Sequence, residues 1–475
     1  MKNITAIIFF GVIIALSICN QCFAQYTKLH DFAVTPEGGT PYGSLISDGT
    51  FLYGMTNTGG LNGYGIIFKI KPDGTGYTTL LNFNGVNAPY GAYPFGSLIS
   101  DGTFLYGMTQ NGGVITGGVI FKIKPDGTEY TILYDFINTL DGALPIGSLI
   151  FDRTFLYGMA QKGGTNNQGT VFKIKPDGTE FTKLLDFAGI SNGSTPFGSL
   201  TSDGTFLYGM TQVGGTNGYG IIFKIKPDGT GYAKLLDFNG VNAPYGAYPF
   251  GSLISDGTFL YGMTPQGSTN NLGTIFKIMP DGTEYTDLFD FSVDGNGSDP
   301  YGDLISDGTF LYGMTFSGGT NNYGVIFKIM PNGSGYTRLF DFSGTTSGSS
   351  PWGSLISDGT FLYGMTAAGG TDNQGTIFKI ELGTTGLAEN NSGNGINIYP
   401  NPCKGRFTIK IANSLQPIAN SPTEIYNVFG EKIYSGSKLN RQNSSEIDLS
   451  NSPKGIYFIK VHTETEVHIE KIVVE

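Results

Sequence analysis

Leu52-Tyr53-Gly54-Met55 is the stretch from which the fold is read, because the same four residues return six more times along the chain. The tyrosines of the seven copies are Tyr53, Tyr106, Tyr157, Tyr208, Tyr261, Tyr312 and Tyr363, at intervals of 53, 51, 51, 53, 51 and 51 residues. A period near 50 is the length of a four-stranded propeller blade. Each repeat carries four strand-like runs between turn signals. In the second they are Phe95–Ile99, Phe104–Thr109, Gly118–Lys124 and Tyr130–Phe136, termed a, b, c and d. The a–b link is Ser-Asp-Gly-Thr and the c–d link is Pro-Asp-Gly-Thr. Asp-Gly marks a hairpin, since Gly takes positive φ without a Cβ clash. The third repeat has Arg153 where the others have Gly; at positive φ it should cost about 1 kcal/mol. In strand c, Val119, Phe121 and Ile123 alternate with Ile120, Lys122 and Lys124, a pattern suited to a strand near an outer rim.

The array begins and ends one strand out of step. Tyr26-Thr27-Lys28-Leu29-His30-Asp31-Phe32 reads as a d strand with no a, b or c before it. The seventh a-b-c set ends at Ile380 with no d strand after it. A closed ring uses this offset and an open solenoid does not. The expected fold is therefore all-β: a seven-bladed β-propeller over 26–380, closed by an N-terminal outer strand, plus a small C-terminal β-sandwich. Residues 62–108 nearly recur as 217–263, three repeats on, which reads as duplication within the gene.

Composition agrees with short strands and tight turns. The 475 residues include 74 Gly, with 13% aromatic and 14% charged residues, which suits neither disorder nor collagen. A net charge of −11 without a basic cluster argues against a nucleic-acid partner. Residues 1–24 read as a secretory signal: Lys2, an apolar core Ile7–Ile18 too short to span a bilayer alone, and a cut after Ala24. A lipoprotein reading at Cys19 is weakened by Ile18, which sits where a small residue is required. Cys19 and Cys22 leave with the signal, so Cys403 has no internal disulfide partner. No later apolar run is long enough for a transmembrane segment.

The motif Ser-Asp-Gly-Thr-Phe-Leu-Tyr-Gly-Met-Thr followed by Gly-Gly-Thr-Asn-x-x-Gly-x-Ile-Phe-Lys-Ile resembles the GloVer tandem repeat of bacterial secreted proteins. The resemblance covers about residues 26–380 and implies no activity, since that family is defined by its repeat. The likeness to kelch repeats is in period alone. Residues 381–395, rich in Gly, Asn and Ser, read as a linker. Beyond it come seven short strand candidates: Ile396–Tyr399, Arg406–Ile411, Glu424–Phe429, Lys432–Tyr434, Glu446–Leu449, Gly455–Val461 and Val467–Val474. Over 396–475 the chain resembles the C-terminal sorting domain of the type IX secretion system. The matching residues are Tyr399-Pro400-Asn401-Pro402, Tyr426-Asn427-Val428-Phe429-Gly430, Lys454-Gly455-Ile456-Tyr457 and Lys471-Ile472-Val473-Val474. That resemblance implies the type IX machinery as a partner, a secreted or outer-surface location, and a source in the Bacteroidetes.

Catalytic constellations are sparse. His30 is the one propeller histidine, placed on an outer strand, and His462 and His468 flank a hairpin with too few ligands for a metal site. The Asp-Gly turns lack the clustered carboxylates of calcium loops, and no cofactor motif is present. The candidate binding residues open strand a: Tyr42, Phe95, Phe197, Phe250, Tyr301 and Trp352, with Ile146 in the third repeat. They either ring the mouth of a central funnel, offering stacking faces to a sugar or peptide, or wedge between blades as core; burial is the commoner fate of large apolar side chains. The d–a loops Asn84–Tyr93, Asn239–Tyr248, Ser292–Asp299 and Ser343–Ser350 differ most between repeats, and with the b–c loops, such as Gly163–Gly169, they would form a recognition face. Three functions follow. The first is a non-catalytic binding or adhesion module for glycan or protein. The second is a polysaccharide lyase or hydrolase using funnel carboxylates, although the acids seen, such as Asp135 and Asp186, sit in turns and at the ends of d strands. The third is a structural surface protein.

Overall fold

In the computed structural model the described residues are 25–382, apart from 87–88, 137–139, 241–244 and 293–294, and the strands between 396 and 474 with part of what joins them. The signal at 1–24 and the linker at 383–395 lie outside them. The chain divides into two compact units between Leu382 and Gly383.

The first unit holds seven four-stranded antiparallel sheets, one per repeat. In the second repeat, Ile99–Ser100, Leu105–Thr109, Val119–Ile123 and Thr131–Asp135 pair in that order. The seventh sheet takes its outer strand from the start of the chain, with Tyr26–Asp31 pairing antiparallel to Thr376–Glu381. The expectation of a closed seven-bladed β-propeller is corrected here: no sheet is closed into a propeller or a barrel. Each is an open sheet with its own two edges, and no backbone ladder runs from one to the next. The period and the one-strand offset count sheets and assign strands to them; neither supplies a ladder between sheets.

Strand a is also shorter than expected. Only Ile99–Ser100 joins the ladder of the second sheet, because the Ser97 N–H is donated to Ser148 Oγ of the next repeat at 2.8 Å. The two turns form as their residues dictate. Asp48 Oδ1 accepts the Thr50 and Phe51 N–H groups at 2.8 and 2.7 Å, and Asp48 Oδ2 accepts the Tyr53 hydroxyl at 2.7 Å. Arg153 does adopt a positive φ, +77°.

The recurring Leu-Tyr-Gly-Met is explained by packing between sheets. Side chains alternate across a strand, so Leu52 joins one inter-sheet core with Phe32, Phe68 and Tyr363, while Tyr53 and Met55 join the next with Leu98, Leu105 and Phe121. Gly54 is needed because a Cβ there would lie 2.6 Å from the Phe68 ring. Strand c is therefore no rim strand: Ile66, Ile67, Phe68 and Ile70 are all buried. Its lysine extends along that core to the surface. Lys69 Nζ sits 4.8 Å over the Phe51 ring and donates to the Pro125 carbonyl of the following repeat at 3.3 Å.

The C-terminal region, expected as a small β-sandwich, contains a three-stranded sheet (Ile396–Tyr399, Arg406–Ile411, Ser444–Asp448). A four-stranded sheet (Lys432–Gly436, Thr423–Asn427, Gly455–His462, Val467–Val474) accompanies it. Phe407, Ile409, Ile425, Ile447, Tyr457, Ile459 and Ile472 share one core with Cys403, which is buried and unpaired.

Candidate functional site

The seven Pro-x-Gly segments that open strand a, six of them followed by Ser, meet in one place. Gly43, Gly96, Gly147, Gly198, Gly251, Gly302 and Gly353 each turn the missing side chain toward the backbone of the following repeat. A Cβ on Gly43 would lie 2.3 Å from the Gly96 carbonyl oxygen, one on Gly198 would lie 2.2 Å from that of Gly251, and one on Gly353 would lie 2.4 Å from that of Gly43. The next residue links the repeats. Ser44 N–H donates to Ser97 Oγ at 2.7 Å, Ser148 N–H to Ser199 Oγ at 2.8 Å, and Ser354 N–H to Ser44 Oγ at 2.7 Å. In the sixth repeat Asp303 stands in place of Ser, accepting the Ser252 N–H at 2.5 Å. Burial pushes its carboxyl up, against the bonds from Ser252 and Ser354.

All six candidate binding residues are brought together above this cycle, with Ile146. Trp352 occupies the middle: its ring lies 4.3 Å from Tyr301, 5.3 Å from Tyr42, 5.8 Å from Phe95, 6.0 Å from Phe250 and 6.4 Å from Phe197. Phe316, at 5.5 Å from Trp352, completes the cluster. Its signal in the sequence was its place right after Met314-Thr315, where other repeats have Asn57, Gln110 or Ala367. The six aromatics are half-buried and Ile146 is buried, so they pack on one another and keep one side accessible. Burial raises the Tyr42 and Tyr301 hydroxyls above their usual pKa. The cavity beneath measures about 60 Å³, far below the ~300 Å³ at which small-molecule pockets begin. Trp352 lies at the centre of the ring contacts that line it.

The loops to either side are where apolar surface is displayed. The b–c turns expose Leu61, Val114, Ile115 and Tyr323, and the d–a loops expose Tyr90, Leu140, Ile190 and Tyr245. The other exposed large apolar side chains among the described residues are Met330, Ile433 and Phe458.

The candidate acids are committed to structure. Asp135 Oδ2 accepts the Val114 N–H at 2.8 Å, and Asp186 accepts the Thr165 N–H at 3.0 Å while pairing with Lys183 at 2.9 Å. His30 stacks on Tyr77 at 4.0 Å with its Nε2 3.2 Å from Glu37; burial lowers its pKa although the carboxylates pull the other way. His462 is in register with Val467 and His468 with Val461, so the two histidines do not face each other across the hairpin. Among the described residues no three His, Cys, Asp or Glu side chains are grouped to hold a metal, and no helix is long and apolar enough to cross a membrane.

Seven copies of one four-stranded unit, joined by a glycine–serine cycle and followed by a separate β unit, define an all-β tandem-repeat protein. The chain belongs to the Gloeobacter/Verrucomicrobia repeat family, which matches residues 10–136, 91–257, 199–310 and 305–401. Residues 397–475 match the secretion system C-terminal sorting domain. The chain is thus a repeat protein exported by type IX secretion, and its location is secreted or on the outer cell surface. No curated protein matches the sequence. Among solved structures, a nidogen/laminin complex aligns at 18% identity and a TM-score of 0.37 over 53% of this chain and 80% of that one. An oligogalacturonate lyase in complex with manganese aligns at 14% identity and 0.46, over 75% and 93% of the two chains. The xyloglucanase of Xanthomonas campestris aligns at 12% and 0.48, over 92% and 59%. Similarity at these levels carries no activity to this chain.

Proposed function

We propose that the protein is a non-catalytic binding or adhesion module whose b–c and d–a loops contact a glycan or a protein outside the cell. One observation carries this reading: eight exposed large apolar side chains, Leu61, Tyr90, Val114, Ile115, Leu140, Ile190, Tyr245 and Tyr323, all lie on those two loop sets. Loops held on a rigid scaffold are the usual place for recognition. The half-buried aromatic cluster of Tyr42, Phe95, Phe197, Phe250, Tyr301 and Trp352 serves as a floor against which the ligand rests, since its cavity is too small to admit one.

Trp352 is the single tryptophan of the chain, so its emission reports this cluster directly. The test is to screen the mature full-length protein on glycan arrays and on immobilised extracellular matrix proteins, then to titrate each hit against Trp352 fluorescence. The double variant Tyr90→Ser/Tyr245→Ser should weaken binding at least tenfold with an unchanged thermal midpoint. Binding that leaves both the emission and the double variant unaffected would place the contact elsewhere and defeat this reading.

A further inference from the structure

Six of the seven residues that close the glycine–serine cycle are serines, Ser44, Ser97, Ser148, Ser199, Ser252 and Ser354, and the seventh is Asp303. All seven line the cavity of about 60 Å³ together with the aromatic cluster. Each serine oxygen accepts one N–H from the preceding repeat, which leaves it a second lone pair. Asp303 takes the same place with a carboxylate. Its Oδ1 accepts the Ser252 N–H at 2.5 Å, and its own N–H goes to Ser354 Oγ at 2.7 Å. It therefore keeps the cycle intact and adds a negative charge that the six serines do without.

Among the described residues no cation answers that charge. The groups acting on the carboxyl are burial, then bonds from Ser252 and Ser354, with no lysine, arginine or histidine among them. Buried charge requires a counter-charge. A second acid of the same repeat adds to the field: Asp299 stands where other repeats have Thr40, Tyr93 or Ser350. It acts, after burial, on the Tyr301 hydroxyl. The largest ring of the cluster adjoins this side of the cycle. Tyr301 and Asp303 belong to one Pro-x-Gly segment, Trp352 and Ser354 to the next, and Tyr301 stacks on Trp352 at 4.3 Å and 16°. A carboxylate, oxygens with spare lone pairs and aromatic faces all attract one kind of ligand, a cation that carries hydrogen-bond donors.

Size and donor set narrow the cation. Ca²⁺ sites gather several carboxylates and carbonyls, whereas one carboxylate lines this cavity. A guanidinium is a planar fork suited to bidentate pairing, but Asp303 Oδ1 is already engaged by the Ser252 N–H. A primary ammonium is a compact charge with three donors, and a carboxylate oxygen with two serine oxygens meets them. Its methylene stem suits the ring faces. The cavity that is too small for a ligand as a whole has room for such a tip, since a water-sized group needs roughly 10–15 Å³. We propose that the cavity is a site for a primary ammonium group on an unbranched alkyl stem, with Asp303 as counter-charge, serine oxygens as further acceptors, and Tyr301 and Trp352 beside the stem. This deepens the binding reading above and rests on it only for the source of the group, which is a lysine side chain of a protein partner or a free alkylamine. The net charge of −11 draws either one in.

The experiment titrates the mature full-length protein with n-butylammonium chloride and reads Trp352 emission, with sodium chloride and calcium chloride at matched ionic strength as controls. Wild type should give a saturable change that neither salt reproduces. Asp303→Ser should keep a thermal midpoint no lower than that of wild type, since serine closes the cycle in the six other repeats. The same variant should weaken the butylammonium response roughly tenfold or more, through loss of the buried counter-charge. Nα-acetyl-lysine methylamide and its Nε-acetylated form separate the sources. A response to the first and not to the second assigns the site to a lysine side chain, and a response to butylammonium alone assigns it to free amines. Tyr90→Ser/Tyr245→Ser should keep the butylammonium response, so the loop reading and this site fail separately. No saturable change in wild type, an equal change with either salt, or equal affinity in Asp303→Ser would overturn the proposal.

Discussion

Gly198 and Gly204 belong to the same repeat, six residues apart, and alanine should fail at the two positions for opposite reasons. At Gly204 φ is +86° and a Cβ would meet nothing within 4 Å, so the cost is backbone strain alone, about 1 kcal/mol. At Gly198 φ is not in the left-handed region, but a Cβ would lie 2.2 Å from the Gly251 carbonyl oxygen and 2.6 Å from its carbon. Relief requires a separation of roughly 3.5 Å, so one backbone must move by about 1 Å. Gly251 cannot retreat freely, because its own Cβ position is 2.4 Å from the Gly302 carbonyl oxygen and Ser199 N–H is tied to Ser252 Oγ at 2.8 Å. Overpacking costs about 1–3 kcal/mol, and a clash with backbone held on both sides falls at the upper end, about 3 kcal/mol. Thermal unfolding of the two variants side by side is the assay, with Gly198→Ala lowering the midpoint about three times as far as Gly204→Ala. Equal effects would show that adjacent repeats do not abut at the glycine–serine cycle, and the close approach argued above would be lost.

Arg153→Gly should raise the unfolding midpoint: it relieves a φ of +77° worth about 1 kcal/mol, less the ~0.4–1 kcal/mol by which Gly loosens the unfolded chain. Calorimetry should therefore show a small rise, and a fall would mean that Arg153 makes a stabilising contact. Tyr208→Phe removes the 2.7 Å bond to Asp203 and should cost about 1–2 kcal/mol by denaturant titration. The same pair sets a pH dependence. Burial raises the Asp203 carboxyl, but the bonds from Phe206 N–H, the Tyr208 hydroxyl and Thr205 N–H outweigh it and hold the pKa below the usual value. A depressed carboxylate contributes stability that is complete above its unfolded pKa, about 4, and lost as the pH falls through the folded one. Tyr208 is raised, by burial first and then by Asp203, so its share is complete below about pH 10 and lost above it. The midpoint of wild type should thus fall more steeply below pH 4 than that of Tyr208→Phe, and parallel curves would remove the bond from the account.

What could be read from the sequence was whatever a residue imposes on its own neighbourhood. Asp-Gly fixed six of the seven a–b turns, and the leading Tyr26–Asp31 segment could be identified as a d strand without its partners. Arg153 could be assigned a positive φ from its six glycine counterparts. What could not be read was where a group without a local partner finds one. Phe95-Gly96-Ser97 has the pattern of a strand, yet the Ser97 N–H goes to a serine hydroxyl of the next repeat and not to its own sheet. The same blindness produced the error about closure: a period says how many sheets there are, but not whether a hydrogen-bonded ladder passes between them. Strand c misled for a related reason, since a lysine on one face suggests water, whereas Lys122 lies over the Phe104 ring at 4.8 Å and ends on the Pro176 carbonyl at 3.2 Å.

The candidate site follows from this division between local and non-local constraint. Each repeat must reserve its Gly, Tyr, Met and Phe for the cores between sheets, so those positions have no freedom to acquire a ligand. The first residue of each Pro-x-Gly segment is under a looser constraint: it needs bulk to cover the glycine–serine cycle, but Ile146 and Trp352 both meet that need. Variation is therefore tolerated where seven side chains from seven repeats touch, and a single substitution there alters a surface shared by all of them. Trp352 is the clearest case, since one large ring contacts the cluster residues of five other repeats. A repeat protein built this way can change what it meets at one face while every sheet keeps the same internal packing. The loops with exposed Tyr90, Ile190 and Tyr245 extend that freedom outward.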